Sequence, residues 1–114
     1  MKNKIADEIR LKHILDAISE IEQYTKSGSL DNFIENSMIR FASVKQLEII
    51  GEAANHISKE VVDEFPEIKW RSIIGLRNLL IHEYFGIDAR VVWNIIVNDL
   101  PKLKEQIKKV LDSI

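Results

Sequence analysis

Residues 73–85 read Ile-Ile-Gly-Leu-Arg-Asn-Leu-Leu-Ile-His-Glu-Tyr-Phe, and apolar side chains occupy nearly every direction of a helical wheel drawn over them. A helix that is apolar on all sides is buried in its own fold or covered by a partner. Arg77, Asn78, His82 and Tyr84 are therefore expected where water is scarce, and an unpaired buried cation or amide costs on the order of several kcal/mol. Asn78 and His82 stand four residues apart on one face, and Arg77 and Tyr84 fall about 20° from each other, whereas Arg77 and His82 diverge by about 140°. One straight helix does not aim that guanidinium and that imidazole at one small group. Either the long arginine bends part of the way round, or an isologous contact between two copies brings two such motifs together at a seam.

The flanking segments are helical as well. Ile5, Ile9, Leu15, Ile18 and Ile21 recur at helical intervals, with Ile14 and Tyr24 widening the stripe, so the spacing predicts one amphipathic helix over roughly residues 3–26. Ser27, Gly28 and Ser29 break it, and Asp31 is the expected N-cap of a short helix carrying Phe33 and Ile34. From Ser37 to Ser58, Val44, Leu47, Ile50, Gly51, Ala54 and Ile57 share one face, where Gly51 and Ala54 let a neighbouring helix approach closely. Phe65-Pro66 closes that region and a helix restarts near residues 68–71. Beyond Gly86, Asp88 is the expected N-cap of a helix carrying Val91, Val92, Ile95, Ile96 and Leu100. Pro101 then opens a final leg, or kinks it, before Leu103, Ile107, Val110, Leu111 and Ile114. The fold class is all-α: an up-and-down bundle of four main helices plus one or two short ones, with residues 1–114 forming one domain.

Composition agrees and excludes much else. The 114 residues are 46% hydrophobic and 30% charged, a globular mixture, and four Gly with two Pro are too few for a β-sandwich that must turn every ~8–12 residues. The formal net charge of −2 supplies no global field for nucleic acid, so any RNA contact is local. With no cysteine there is neither a disulfide framework nor a thiolate metal site. No apolar run approaches a membrane span, and the expected location is the cytoplasm, with no membrane partner.

The motif Arg77-Asn78-x-x-x-His82-x-Tyr84 resembles the signature of HEPN domains, and its extension to the tyrosine is similar to the HepT-like toxin branch that pairs with a minimal nucleotidyltransferase antitoxin. Gln46-Leu-Glu-Ile-Ile-Gly-Glu-Ala-Ala54 and Val92-Trp93 extend the resemblance over essentially the whole chain. It implies a twofold homodimer acting on RNA as a metal-independent endoribonuclease that needs no cofactor, through a composite interface site with Arg77 and His82 as catalytic residues. Asn78 supports them. It further implies that the antitoxin transfers AMP to Tyr84, placing a phosphodiester and an adenosine beside the catalytic pair. The chemistry is consistent with the residue types: an imidazole with a pKa near ~6.5 can move the ribose 2′-hydroxyl proton, and a guanidinium can grip a phosphate bidentately.

Competing readings of single residues are structural. Arg77 and His82 can be a buried pair stapled to Glu48 or Glu52. Arg40 falls inside the apolar stripe and pairs with an acidic residue or reaches a phosphate of RNA. Glu48, Glu52 and His56 form an i, i+4, i+8 row, but neither a Glu-x-x-His nor a His-Glu-x-x-His zinc motif occurs, so no metal is expected. His13 reads as a surface or boundary residue, Lys102, Lys104, Lys108 and Lys109 as a solvated face or a patch that steers RNA, and Trp70 and Trp93 as core or interface anchors. At the level of the protein, the rivals to the nuclease are a non-catalytic HEPN module that binds nucleotide or RNA and a helical dimer that only holds a partner protein.

Overall fold

The computed structural model describes residues 2–79 and 88–114, and these are all-helical, with no strand among them. Helix α1 (Lys2–Thr25) packs along α3 (Ser37–Asn55), with the short α2 (Leu30–Glu35) between them in sequence. α4 (Lys59–Glu64) and α5 (Trp70–Gly75) follow, and a 3₁₀ turn, Leu76–Asn78, continues directly from α5. After residue 88 come α6 (Ala89–Asn94), a π-helical segment (Ile95–Asp99) and α7 (Leu100–Ser113), which together make one unbroken rod. Three short α-helices thus stand among the described residues, where one or two were expected.

The polar links give the directions. Tyr24 Oη accepts from Gln46 Nε2 at 3.1 Å near one end of α1, while Asp7 near the other end binds Ser58, so α1 and α3 run antiparallel. Lys104 of α7 reaches Glu22 of α1 at 3.1 Å, placing the start of α7 beside the end of α1. α1 therefore lies between α3 and α7 and contributes Leu11, Ile14, Ile18 and Ile21, all fully buried, to the centre of the core. Leu47 and Ile50 meet them from α3, and Ile107 and Val110 from α7.

The buried face of α1 is displaced from the expected one. Ile5 and Ile9 are 60% and 50% exposed, and the inward stripe runs through Asp7, Leu11, Ile14, Ile18 and Ile21. An aspartate begins that stripe because it does specific work. Its Oδ1 accepts from the Ser58 backbone N–H at 2.9 Å and its Oδ2 from the Ser58 hydroxyl at 2.6 Å. Ser58 in turn N-caps α4, accepting from Val61 N–H. This bolt explains why the helix expected to reach Ser58 stops at Asn55: the serine caps the next helix instead.

Two other caps correct or sharpen the reading. Ser29, not Asp31, caps α2, accepting from Asn32 N–H, and Asp31 sits in the first turn, where a carboxylate favours the helix dipole. Asp88 caps α6 as expected, accepting from Arg90 N–H at 2.9 Å. Pro101 stands in the first turn of α7, as expected, and the helical run passes through it. Proline lacks an N–H and its ring crowds the carbonyl four residues back; here the backbone just before it widens, with Leu100 N–H bonding to the Ile95 carbonyl five residues back.

Asp7→Ala leaves the Ser58 N–H and hydroxyl without their acceptor, so it should lower stability by about 1–3 kcal/mol, whereas Ile5→Ala, on an exposed turn of the same helix, should change it by less than about 0.5 kcal/mol. Urea denaturation of the two variants checks the contrast.

Candidate active site

Gly51 lies buried in the middle of α3, and the chain of the motif passes directly over it. A Cβ built there would stand 2.4 Å from the backbone nitrogen of Arg77 and 3.0 Å from the Ile73 carbonyl oxygen. Real Cβ atoms do not approach backbone so closely, so α3 holds the turn carrying Arg77 through a contact that only glycine permits. The close approach expected at Gly51 is thereby located: its neighbour is the candidate site itself.

Arg77 and Asn78 occupy the 3₁₀ turn, and both are exposed. This corrects the expectation that water is scarce around them. The helical wheel assumed one straight α-helix from 73 to 85, but the change to 3₁₀ geometry at Leu76 alters the angle per residue, and Leu79 is the residue that turns into the core, 8% exposed. Arg77 is therefore no buried staple. Glu52, one of its expected partners, pairs with His56 at 2.9 Å on the exposed side of α3. His82 and Tyr84 lie outside the described residues.

Arg40 is half-buried, and its guanidinium donates to the carbonyl oxygens of Phe33, at 3.4 Å, and Ile34. These carbonyls belong to the last turn of α2, whose negative dipole end favours a cation. The role visible for Arg40 is to tie α2 to α3. Trp70 is buried with its indole N–H on the Phe65 carbonyl at 3.0 Å, and Trp93 stacks at a tilt on Phe33, with ring centres 5.2 Å apart, so both are anchors as read. His13 is exposed. Among the described residues no group of three or more His, Cys, Asp or Glu side chains is gathered closely enough to hold a metal ion.

One feature near the motif had no sequence-level counterpart. A cavity of about 370 Å³ opens between α5 with the 3₁₀ turn on one side and the π-helical segment with α7 on the other. Only Pro101, within an otherwise helical run, hinted at irregular backbone there.

An all-helical chain with an Arg-Asn pair on a turn held against the long α3 is of the HEPN type. The ribonuclease HepT-like family model matches residues 14–110, and the chain belongs to that family. It is 42% identical over 100 residues to the protein named "Putative RNase MJ1380" of Methanocaldococcus jannaschii, covering 88% of this chain and 92% of that one. It is 37% identical over 103 residues to "Putative RNase TTE0752" of Caldanaerobacter subterraneus, covering 90% and 92%. It is 39% identical over 100 residues to "Probable ribonuclease HepT" of Thermococcus cleftensis, covering 88% and 91%. No solved structure matches it at a significant level. No helix among the described residues is long and apolar enough to cross a membrane.

Gly51→Ala tests the contact on α3. In an ordinary helix interior the change would stabilise by up to about 1 kcal/mol. Here the added methyl collides with backbone, so the thermal midpoint should fall, by the equivalent of about 1–3 kcal/mol.

Proposed function

We infer that this protein is a metal-independent endoribonuclease, the toxin of a toxin and antitoxin pair, working as a homodimer. The observation that carries the reading is the exposed Arg77-Asn78 turn, pinned by its own backbone to Gly51, in a chain of the ribonuclease HepT-like family. A cation on a rigid backbone and open to solvent suits a phosphate ligand. In this reaction the ribose 2′-oxygen attacks the adjacent phosphorus and the bond to the 5′-oxygen breaks; His82 either takes the 2′-hydroxyl proton or gives a proton to the leaving 5′-oxygen, and water serves at the other position. The products are a 2′,3′-cyclic phosphate and a 5′-hydroxyl. Arg77 neutralises the charge that builds on the phosphoryl oxygens, and Asn78 orients the imidazole or donates to the phosphate.

The twofold arrangement is supported by the surface. α3 leaves Met38, Phe41 and Ile49 exposed at 77%, 50% and 37%, large apolar side chains on the helix against which the Arg77 turn packs. Exposed apolar groups of this size mark contact surfaces when they cluster. Control follows from Tyr84: its hydroxyl attacks the α-phosphorus of ATP on a nucleotidyltransferase antitoxin, pyrophosphate leaves, and the added phosphodiester competes with RNA for Arg77.

His82→Ala and Arg77→Ala should each lower RNA cleavage by on the order of 100-fold or more while leaving circular dichroism and the thermal midpoint in place. Wild-type activity should persist in EDTA and vanish on DNA. Sedimentation should give twice the 13.2 kDa of one chain. Mixed dimers of the two variants should regain one of their two sites if Arg and His come from different subunits.

Tyr84→Phe should keep the nuclease and escape the antitoxin. Incubation with ATP and the partner nucleotidyltransferase, followed by mass spectrometry, should show the adenylyl group on the wild type alone; adducts on both proteins would remove Tyr84 from the mechanism.

A further inference from the structure

The cavity beside the 3₁₀ turn has the build of a ligand site. Its volume of about 370 Å³ lies within the ~300–1,000 Å³ usual for small-molecule sites. Its apolar lining includes the half-buried Ile73, Leu76 and Ile95. At its edge stand two cations, Lys69 and Lys102, and two carboxylates, Glu67 and Asp99. Leu76 immediately precedes Arg77, so this lining and the exposed guanidinium spring from adjacent Cα atoms, about 3.8 Å apart.

The charge balance decides what fits. Two positive and two negative groups give the cavity no net pull on a phosphate, whereas Arg77, outside the lining and one residue past Leu76, carries a positive charge. An apolar floor ringed by both donors and acceptors suits a flat, uncharged ring with polar edges. Both irregular stretches of backbone, the 3₁₀ turn and the π-helical segment, border this one space, and π segments recur at functional sites.

We propose that this cavity receives the base of the nucleotide adjoining the phosphate held by Arg77, and that it selects among bases. The proposal rests on the ribonuclease reading. Asp99 is the discriminating group: a carboxylate accepts hydrogen bonds and cannot donate, so it favours the amino group of cytosine N4 or adenine N6 over the acceptor that uracil (O4) and guanine (O6) carry at the same position. Asp99 makes no side-chain capping bond to α7, so its amide variant leaves the helix start unchanged.

The experiment uses the full chain and DNA oligonucleotides containing one ribonucleotide, with each of the four bases placed in turn on either side of the cleavable phosphate. The wild type should cut next to uracil or guanine on the order of tenfold less well than next to cytosine or adenine at one of the two positions, matching the ~1–3 kcal/mol of one good base contact. Asp99→Asn, whose amide also donates, should erase the difference, and Ser72→Phe, at the exposed cavity edge, should raise KM for all substrates. Cleavage that depends on Arg77 yet shows one base preference across wild type, Asp99→Asn and Ser72→Phe overturns the cavity and leaves the nuclease standing. If the wild type cuts nothing, the nuclease reading fails, and binding decides the cavity by itself. Cytidine 3′-monophosphate should then shift the amide resonances of Leu76, Ile95 and Lys102 in the wild type and not in Ser72→Phe, and unmoved resonances overturn the proposal.

Discussion

The contact of Gly51 with the backbone of Arg77 is the constraint on which the site depends. A backbone nitrogen 2.4 Å from where a Cβ would stand leaves α3 and the 3₁₀ turn almost no freedom to slide. The arginine is thus fixed at its root, while its side chain is exposed. Positioning of this kind acts through backbone contact and needs no hydrogen bond or ion pair from the guanidinium. The rest of the fold can be seen as support for α3: α1 covers one side of it with fully buried Leu11, Ile14, Ile18 and Ile21, and Arg40 ties α2 to its first turns.

The α3 face was fully legible in the sequence. Val44, Leu47, Ile50 and Ala54 repeat at the helical period and all four are buried, because a long helix packed on both sides obeys its own periodicity. On α1 the same logic chose the wrong face. The isoleucines at 5 and 9 look like core, yet the inward position at that level belongs to Asp7, whose partner Ser58 is 51 residues away and invisible to any local pattern. That Arg77 and Asn78 lie on a helical turn was legible, and their exposure was not, since a wheel cannot register a change from α to 3₁₀ geometry. The cavity was illegible for a related reason: it arises where two departures from regular helix face each other.

Pro101 shows how such a departure is tolerated. A proline late in a helical run would ordinarily cost about 3 kcal/mol or more. The π-helical stretch ahead of it, with Leu100 bonding five residues back, lets the helical run continue, and Leu100 and Leu103 on either side remain in the core. The irregularity stays on the side facing α5, where it borders the cavity.

The bolt between Asp7 and Ser58 has a consequence for the order in which the molecule assembles. α4 is only six residues long, too short to hold itself together in water, and its capping serine is steadied by a carboxylate from the opposite end of the fold. On the ribosome α1 is made before α4, and its aspartate meets this partner only after about fifty further residues. Docking of α1 thus helps fix where α4 begins, and slow exchange of the Ser58 amide proton is its expected mark.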